Sequence, residues 1–152
     1  MNYETVFDIN QKVFEWGFAI PFAAVLVLGL ILLRRKPKSQ WQVVGLCLCL
    51  LGSIGTFISG SSYVKLLRNR SALNGGKFLI VEGKVTNFRP MPPQRHTMES
   101  FQVNGKRFEY SDRSVTPGFN QTVPAGGPVR DGEMVRVSYY DGYILKLEIQ
   151  RE

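Results

Sequence analysis

The 152-residue chain has a mean hydropathy of −0.07, but its charge divides it into two unlike halves. Residues 1–77 contain nine Lys and Arg against three Asp and Glu, net +6, whereas residues 78–152 contain ten against nine, net +1. Because the excess positive charge lies beside apolar segments and is not gathered on a folded domain, as in a nucleic-acid-binding protein, it argues against nucleic-acid binding and favours a membrane protein. With two cysteines and one histidine, the sequence predicts no disulfide scaffold, no metal site and no cofactor.

The first apolar segment covers residues 14–33 and follows a mostly polar N-terminal tail, residues 1–13. Twenty helical residues rise about 30 Å, which is the thickness of the hydrocarbon core of a bilayer. Glu15 is its only ionised residue and lies at the predicted interface beside Trp16. The segment is too long for the apolar region of a cleaved signal peptide, and basic residues follow it directly. It therefore predicts a membrane-spanning helix.

A second apolar segment, residues 41–61, carries no charge, and only a short connector, RRKPKSQ, separates it from the first. A connector of this length favours two antiparallel helices. The sequence thus predicts a transmembrane helical hairpin over residues 14–61, with the lipid bilayer as its surroundings. The residues expected at the membrane interfaces are Trp16, Arg34, Arg35, Lys36, Trp41 and Tyr63.

The orientation of the hairpin depends on the Lys and Arg residues close to the spans. Four lie in the connector and four on the opposite side, but three of those in the connector directly follow the first span. This proximity predicts a cytoplasmic connector and an extracytoplasmic carboxyl-terminal domain. The layout is that of a protein of the bacterial inner membrane.

Small residues follow one face of the second span at spacings of four and seven residues. Such spacings allow close approach of another helix, either within one hairpin or between several hairpins of an oligomer. The sequence leaves both alternatives open. Cys47 and Cys49 are predicted to be apolar packing residues. The predicted helix-packing residues are Gly45, Gly52, Thr56, Ser59 and Gly60, with Ala19 and Ala23 on the first span.

Residues 62–77 are predicted to form a basic stalk and linker. The helical pattern continues through Leu66 and Leu73, and Asn74-Gly75-Gly76 is a typical helix stop because Asn and Gly accept the left-handed conformation. This stalk is interpreted either as a segment that contacts anionic lipid or as the basic flank that ordinarily follows a span.

From residue 78 onward the periodicity changes to that of β-strands. Asn104-Gly105 and Asp141-Gly142 occupy positions typical of two-residue hairpin turns, with apolar strands on both sides. The pattern predicts five strands, over residues 78–88, 99–103, 106–111, 133–140 and 143–149.

The predicted fold class is a membrane α-helical hairpin followed by a small all-β domain, residues 78–152. Five antiparallel strands with one long connection between the third and fourth are typical of a closed OB-type barrel, with an SH3-like barrel as the alternative. Closure would remove the exposed sheet edges.

The strand and turn residues also carry a resemblance to a known family. Val81-Glu82-Gly83-Lys84-Val85, Val103-Asn104-Gly105-Lys106-Arg107-Phe108, Val129 to Val137 and Ile144-Leu145-Lys146-Leu147 resemble the OB-type domain of NfeD-like bacterial membrane proteins. The resemblance covers about half of the chain. It implies a membrane-anchored module that organises other membrane proteins, and it implies no catalytic residues.

Residues that could carry chemistry are few. His96 lies in a polar, Pro-rich connection without an evident nucleophile, and no glycine-rich segment has the pattern of a phosphate-binding loop. The aromatic residues of the β domain suit either its core or a ligand-binding face. The residues predicted for a ligand or partner face are Tyr110, Arg113, Phe119 and Asn120.

The sequence therefore predicts a non-enzymatic membrane anchor or scaffold that presents a small β domain within a membrane protein assembly. Its expected partners are further copies of the chain, another membrane protein, or both. The alternative is an oligomeric pore or a sensor-effector, in which the β domain binds a ligand and the two helices rearrange.

Overall fold

A computed structural model describes residues 2–14, 16–35, 39–92, 97–113 and 116–151 of the chain. The chain divides into two compact units. The hairpin unit comprises residues 13–64, and the β unit comprises residues 1–12 together with residues 65–152.

The hairpin unit contains the two predicted apolar helices, α1 (Trp16–Arg34) and most of α2 (Ser39–Asn74). The helices pack antiparallel, since Gly45 faces Leu33 near the connector and Gly52 faces Leu26 further along. Pro21 lies inside α1, where the helix continues through it.

The predicted helix stop after residue 74 is confirmed in atomic detail. The Lys77 N–H donates to Ala72 O at 2.8 Å, and the Gly76 N–H donates to Leu73 O at 3.3 Å. This pair of bonds is a Schellman cap, and Gly76 adopts the left-handed φ of +70° that the cap requires. The helix therefore extends through the predicted stalk and ends where the sequence indicates.

Six strands are described in the β unit. They are β1 (Asn2–Asp8), β2 (Leu79–Arg89), β3 (Glu99–Val103), β4 (Lys106–Tyr110), β5 (Met134–Tyr140) and β6 (Tyr143–Arg151). These strands form one antiparallel sheet in the order β1-β6-β5-β2-β3-β4. A short 3-10 turn, Val123–Ala125, is the regular structure described in the long connection before β5.

The five strands predicted from the sequence are confirmed, with ends that differ by no more than two residues. Both predicted turns are also confirmed. Asn104 and Gly105 have φ values of +45° and +77°, and Asp141 and Gly142 have values of +50° and +78°. These two-residue turns join β3 to β4 and β5 to β6. Positive φ at both central residues gives a turn whose twist matches that of the paired strands.

The prediction of a closed barrel is wrong. Closure requires the two outermost strands to pair, and within the described residues β1 and β4 pair only with β6 and β3, respectively. The sequence predicts a tail over residues 1–13, whereas Asn2–Asp8 is a strand that pairs with β6. The free edge of β6 is thus occupied by a strand from the opposite end of the chain, and the sheet stays open.

Residues from all six strands cover one hydrophobic core. Its centre contains Phe101, Val103, Val135, Val137 and Leu147, all fully buried. Five ring contacts connect the aromatic residues of the core, with centroid separations of 4.8 to 6.0 Å. The rings involved are Phe7, Phe101, Phe108, Tyr110, Phe119 and Tyr139.

Candidate functional site

The outer surface of the hairpin unit is apolar. Leu50 and Phe57 are 57% and 78% exposed, although such side chains are ordinarily buried in a protein that folds in water. By length and composition, α2 over Gln40–Asn74 is the one helix among the described residues that could cross a membrane, and α1 contributes a shorter apolar stretch, Ala19–Arg34.

Glycines bring the two helices of the hairpin into close contact. A Cβ on Gly52 would lie 2.6 Å from the Leu26 N atom, and a Cβ on Gly29 would lie 2.8 Å from the Cys49 N atom. Because backbone atoms cannot move aside as a side chain does, these glycines have to remain glycines for the helices to stay this close. The structure thus places Gly45 and Gly52 of the predicted packing face inside the hairpin, and it adds Gly29 and Gly55.

The other predicted packing residues line an apolar cavity of about 290 Å³ between the helices. Phe14, Trp16 and Tyr63 form its aromatic end, with ring centroids 5.0 to 5.8 Å apart. A Cβ on Gly60 would meet no atom within 4 Å, so this residue is not used for close packing within the hairpin. The cavity is lined further by Ala19, Ile20, Ala23, Thr56 and Ser59.

The predicted interface residues lie at both ends of the helices. Trp16 begins α1 and lies beside Tyr63, whereas Arg34 ends α1, Arg35 follows it, and the exposed Trp41 lies in the first turn of α2. Lys36 lies outside the described residues, as do Glu15 and His96.

The basic end of α2, residues 65–74, belongs to the β unit and contacts other segments of that unit. Arg68 forms an ion pair with Asp141 in the β5–β6 turn, with a nitrogen–oxygen distance of 2.5 Å. The Arg70 guanidinium donates to Ile9 O at 3.1 Å and also to Lys12 O. Asn69, between them, is fully buried. These contacts show that protein groups bind two of the basic side chains that the sequence analysis considered as lipid contacts.

Lys12, whose carbonyl oxygen accepts from Arg70, extends this set of contacts. Its ammonium group donates to Thr116 O at 2.9 Å and to Gly118 O at 2.7 Å. Through Lys12 and Arg70, the segment after β1 is tied both to the long connection before β5 and to α2. The first twelve residues are therefore an integral part of the β unit.

The predicted ligand face is not assembled as one surface. Tyr110 and Phe119 are buried in the core, with their ring centroids 4.8 Å apart, while Arg113 is exposed and Asn120 half-buried. Tyr110 and Phe119 pack against other core residues. Burial of an aromatic ring in a small domain contributes more to stability than its exposure at a loop.

A buried carboxylate, which the sequence analysis did not identify, connects three segments of the β unit. Glu99 is fully buried and accepts hydrogen bonds from the Tyr110 hydroxyl at 2.5 Å, the Met91 N–H at 3.2 Å and the Val123 N–H at 2.9 Å. Burial of the Tyr110 ring, followed by its bond to Glu99, raises the pKa of the hydroxyl far above its ordinary value. Strand alternation could have found this residue, since Glu99, Phe101 and Val103 occupy one face of β3.

An exposed cluster on the sheet joins β1 to β2 and β5. Glu82 accepts hydrogen bonds from the Tyr3 hydroxyl at 2.8 Å and from Arg136 at 2.7 Å, and the Arg136 guanidinium lies 4.3 Å from the centroid of the Tyr3 ring. The bond from Tyr3 and then that from Arg136 hold the pKa of Glu82 below its ordinary value of 4.5. The cluster links side chains of three strands, and Glu82 and Arg136 neutralise each other.

No group of three or more potential metal ligands occurs among the described residues. No family model, curated protein or solved structure matches the chain.

Proposed function

We propose that the protein is an integral membrane anchor in which the hairpin unit crosses the bilayer twice and presents the β unit to one aqueous compartment. The observation that carries this proposal is the pairing of β1 with β6 in one sheet. The chain leaves the β unit after residue 12 and re-enters it at residue 65. Because both ends of the hairpin unit start from the same folded unit, an even number of crossings follows if the apolar surface is in lipid.

The dimensions of the helices support two crossings. The 19 residues of α1 rise about 28 Å, close to the hydrocarbon thickness. In α2, Trp41 and Tyr63 are separated by about 33 Å of helix, which suits aromatic residues at the two interfaces. The exposed apolar residues between them are unfavourable in water and favourable in lipid.

The role proposed for the anchored β unit is that of a non-enzymatic scaffold or interaction module, as the resemblance to NfeD-like proteins implies. The sensor-effector alternative requires a ligand site in the β unit. The orientation proposed from the sequence keeps the connector in the cytoplasm and the β unit outside it. Alkaline phosphatase fused after residue 152 is then active, and activity only of a cytoplasmic reporter at that position would reverse the orientation.

Two matched lysine substitutions test the membrane location. Leu50 in α2 and Ile80 in β2 have nearly equal exposure, 57% and 58%. We expect Leu50→Lys to lower the fraction of chain that resists alkaline extraction from vesicles, since a lysine at mid-span costs about 2.5–3.5 kcal/mol. Ile80→Lys should leave that fraction unchanged. An unmodified chain that is monodisperse without detergent, or that alkaline washing removes, would contradict the proposal.

The cavity between the helices is the proposed contact for a neighbouring transmembrane helix, because Gly60 and its neighbours there remain open to close approach. Gly17 and Gly60 both have free space around a Cβ position, but only Gly60 lines the cavity. Gly60→Leu should abolish crosslinked species in native membranes, and Gly17→Leu should retain them. Recovery of monomer alone from the unmodified protein would count against the assembly.

A further inference from the structure

The β unit contains a polar pocket that plays no part in anchoring. It has a volume of about 150 Å³ and lies across β2, β3 and β4. In β3, Ser100 and Gln102 of the pocket alternate with the buried residues Phe101 and Val103, which places the pocket on the face of the strands away from the core. The pocket is lined by Asn87, Arg89, Ser100, Phe101, Gln102 and Arg107.

A bulge in β2 shapes one side of the pocket. The register of β2 against β3 shifts just before Arg89, which then lies opposite Ser100. Asn87 within the bulge has a φ of +51°, in the left-handed region that Asn accepts better than most residues. The Phe88 N–H donates to Asp131 at 3.4 Å instead of to the neighbouring strand. Bulges of this kind redirect side chains next to functional sites, and here the redirected side chain is a guanidinium.

The groups left available in the pocket are mainly hydrogen-bond donors. The Asn87 amide donates to Gln102 Oε1 at 2.9 Å, so the Gln102 oxygen is used as an acceptor and its amide N–H groups stay available as donors. Arg107 uses one nitrogen for Glu109 Oε1 at 2.6 Å and retains its other N–H groups. The Arg89 guanidinium forms no hydrogen bond or ion pair with any residue that the structure describes.

We infer that this pocket binds a phosphoryl group. Two guanidinium groups, an amide and the Ser100 hydroxyl come from three different strands, and donors in such a three-dimensional arrangement suit a tetrahedral oxyanion better than a planar carboxylate. Guanidinium groups bind phosphate oxygens in pairs, and the pocket volume admits one such group. Glu109 reduces the local positive charge and keeps Arg107 oriented at the side of the pocket.

The test uses the full chain in a zwitterionic detergent and titrates inorganic phosphate at constant ionic strength by calorimetry. We expect saturable binding that Arg89→Gln and Arg107→Gln each weaken about tenfold, the loss typical of one charge-assisted contact. The matched control is Arg151→Gln, which removes an exposed arginine paired with Glu4 on another edge of the sheet and should leave binding unchanged. Heat that does not saturate, or equal binding by the Arg89→Gln variant, would overturn the inference.

A second titration identifies the source of the phosphoryl group. Glycerophosphoglycerol carries the phosphodiester of a lipid headgroup without acyl chains. Displacement of inorganic phosphate by this compound supports a lipid headgroup as the ligand, whereas binding of inorganic phosphate alone supports a free phosphate or a phosphomonoester. Binding of neither probe would refute the site. Because the readout is heat of binding in detergent, failure here is distinct from failure of the hairpin to insert in membranes.

Discussion

The two units of this protein place apolar side chains in opposite ways. In the β unit, Phe101 and Leu147 are fully buried and charged pairs such as Arg151 and Glu4 lie outside. In the hairpin unit, Phe57 is 78% exposed and the most deeply buried positions are glycines. Water drives burial of apolar surface in the first unit, whereas close backbone contact holds the second together, as expected where lipid surrounds the helices.

The largest difference in stability should come from replacing one phenylalanine by alanine in each unit. Phe101→Ala leaves a cavity in the core of the β unit and should lower its free energy of unfolding by about 3–5 kcal/mol. Phe57→Ala removes a ring that packs little within the hairpin and should have a small effect. Denaturant unfolding in detergent, monitored in each unit by hydrogen exchange, measures the free energy of unfolding of both variants. Equal losses in the two units would remove the contrast between them.

The next effect concerns the buried and exposed carboxylates of the β unit. Glu99→Gln keeps the side-chain volume but weakens the bonds from Tyr110, Met91 and Val123, and it should cost about 1.5–3 kcal/mol. Glu109→Gln breaks only the exposed pair with Arg107 and should cost no more than about 1 kcal/mol. Thermal unfolding monitored by the strand signal in circular dichroism separates the two outcomes. If Glu99→Gln were as mild as Glu109→Gln, the carboxylate would not hold these segments together.

Within the hairpin unit, two glycine substitutions should change the stability in opposite directions. Gly52→Ala places a methyl group against the backbone of Leu26 and should destabilise the helix pair by about 1–3 kcal/mol. Gly60→Ala meets no atom and should stabilise the helix by about 0.5–1 kcal/mol. Reversible unfolding in mixed micelles measures the difference. A Gly52→Ala variant as stable as the parent would show that close helix contact is not what stabilises the pair.

The smallest expected effect concerns the exposed cluster on the sheet. Tyr3→Phe removes the main cause that holds the pKa of Glu82 low, so this pKa should rise toward its ordinary value of 4.5. A lowered pKa in the folded state contributes stability above the unfolded-state pKa and loses it as the pH falls through the folded-state pKa. The Tyr3→Phe variant should therefore lose less stability in acid than the parent. Carbon NMR of the carboxyl groups follows the titration.

Arg151→Gln serves as the control for that titration. It removes the ion pair between Arg151 of β6 and Glu4 of β1, next to Tyr3 in the chain, and leaves the contacts of Tyr3 with Glu82 intact. The pKa of Glu82 should then stay at its lowered value. An equal rise in both variants would indicate a general effect of loosening β1 and not loss of the specific hydrogen bond.

Most local structure could be predicted from the sequence, since its causes lie within a few residues. Asn104-Gly105 and Asp141-Gly142 accept positive φ by their own chemistry, and each joins two strands that are adjacent in sequence. The helix stop at Gly76 likewise depends only on residues close to it in sequence. For such features, the residue types alone exclude the competing conformations.

The features that the sequence does not predict concern contacts between residues far apart in sequence. The segment Asn2–Asp8 is mostly polar and becomes a strand only because the edge of β6 is available to it. Tyr110 and Phe119 have the composition of a binding face, yet they fill a core that the loop closes over. Helix spacing indicated that glycines would pack, but it could not show which of them face the other helix and which face the cavity.

The amino-acid sequence by itself determined the helices, most of the strands, the turns and the division into an apolar helical half and a β half. These features depend on local conformational preference and on the hydropathy of neighbouring residues. Only the tertiary structure decided that the sheet is open, that Glu99 is buried with its donors, and that Arg89 and Arg107 meet at one pocket. These features arise from strand pairings across many residues, and the free energy of such pairings depends on which edges and faces the rest of the chain leaves available.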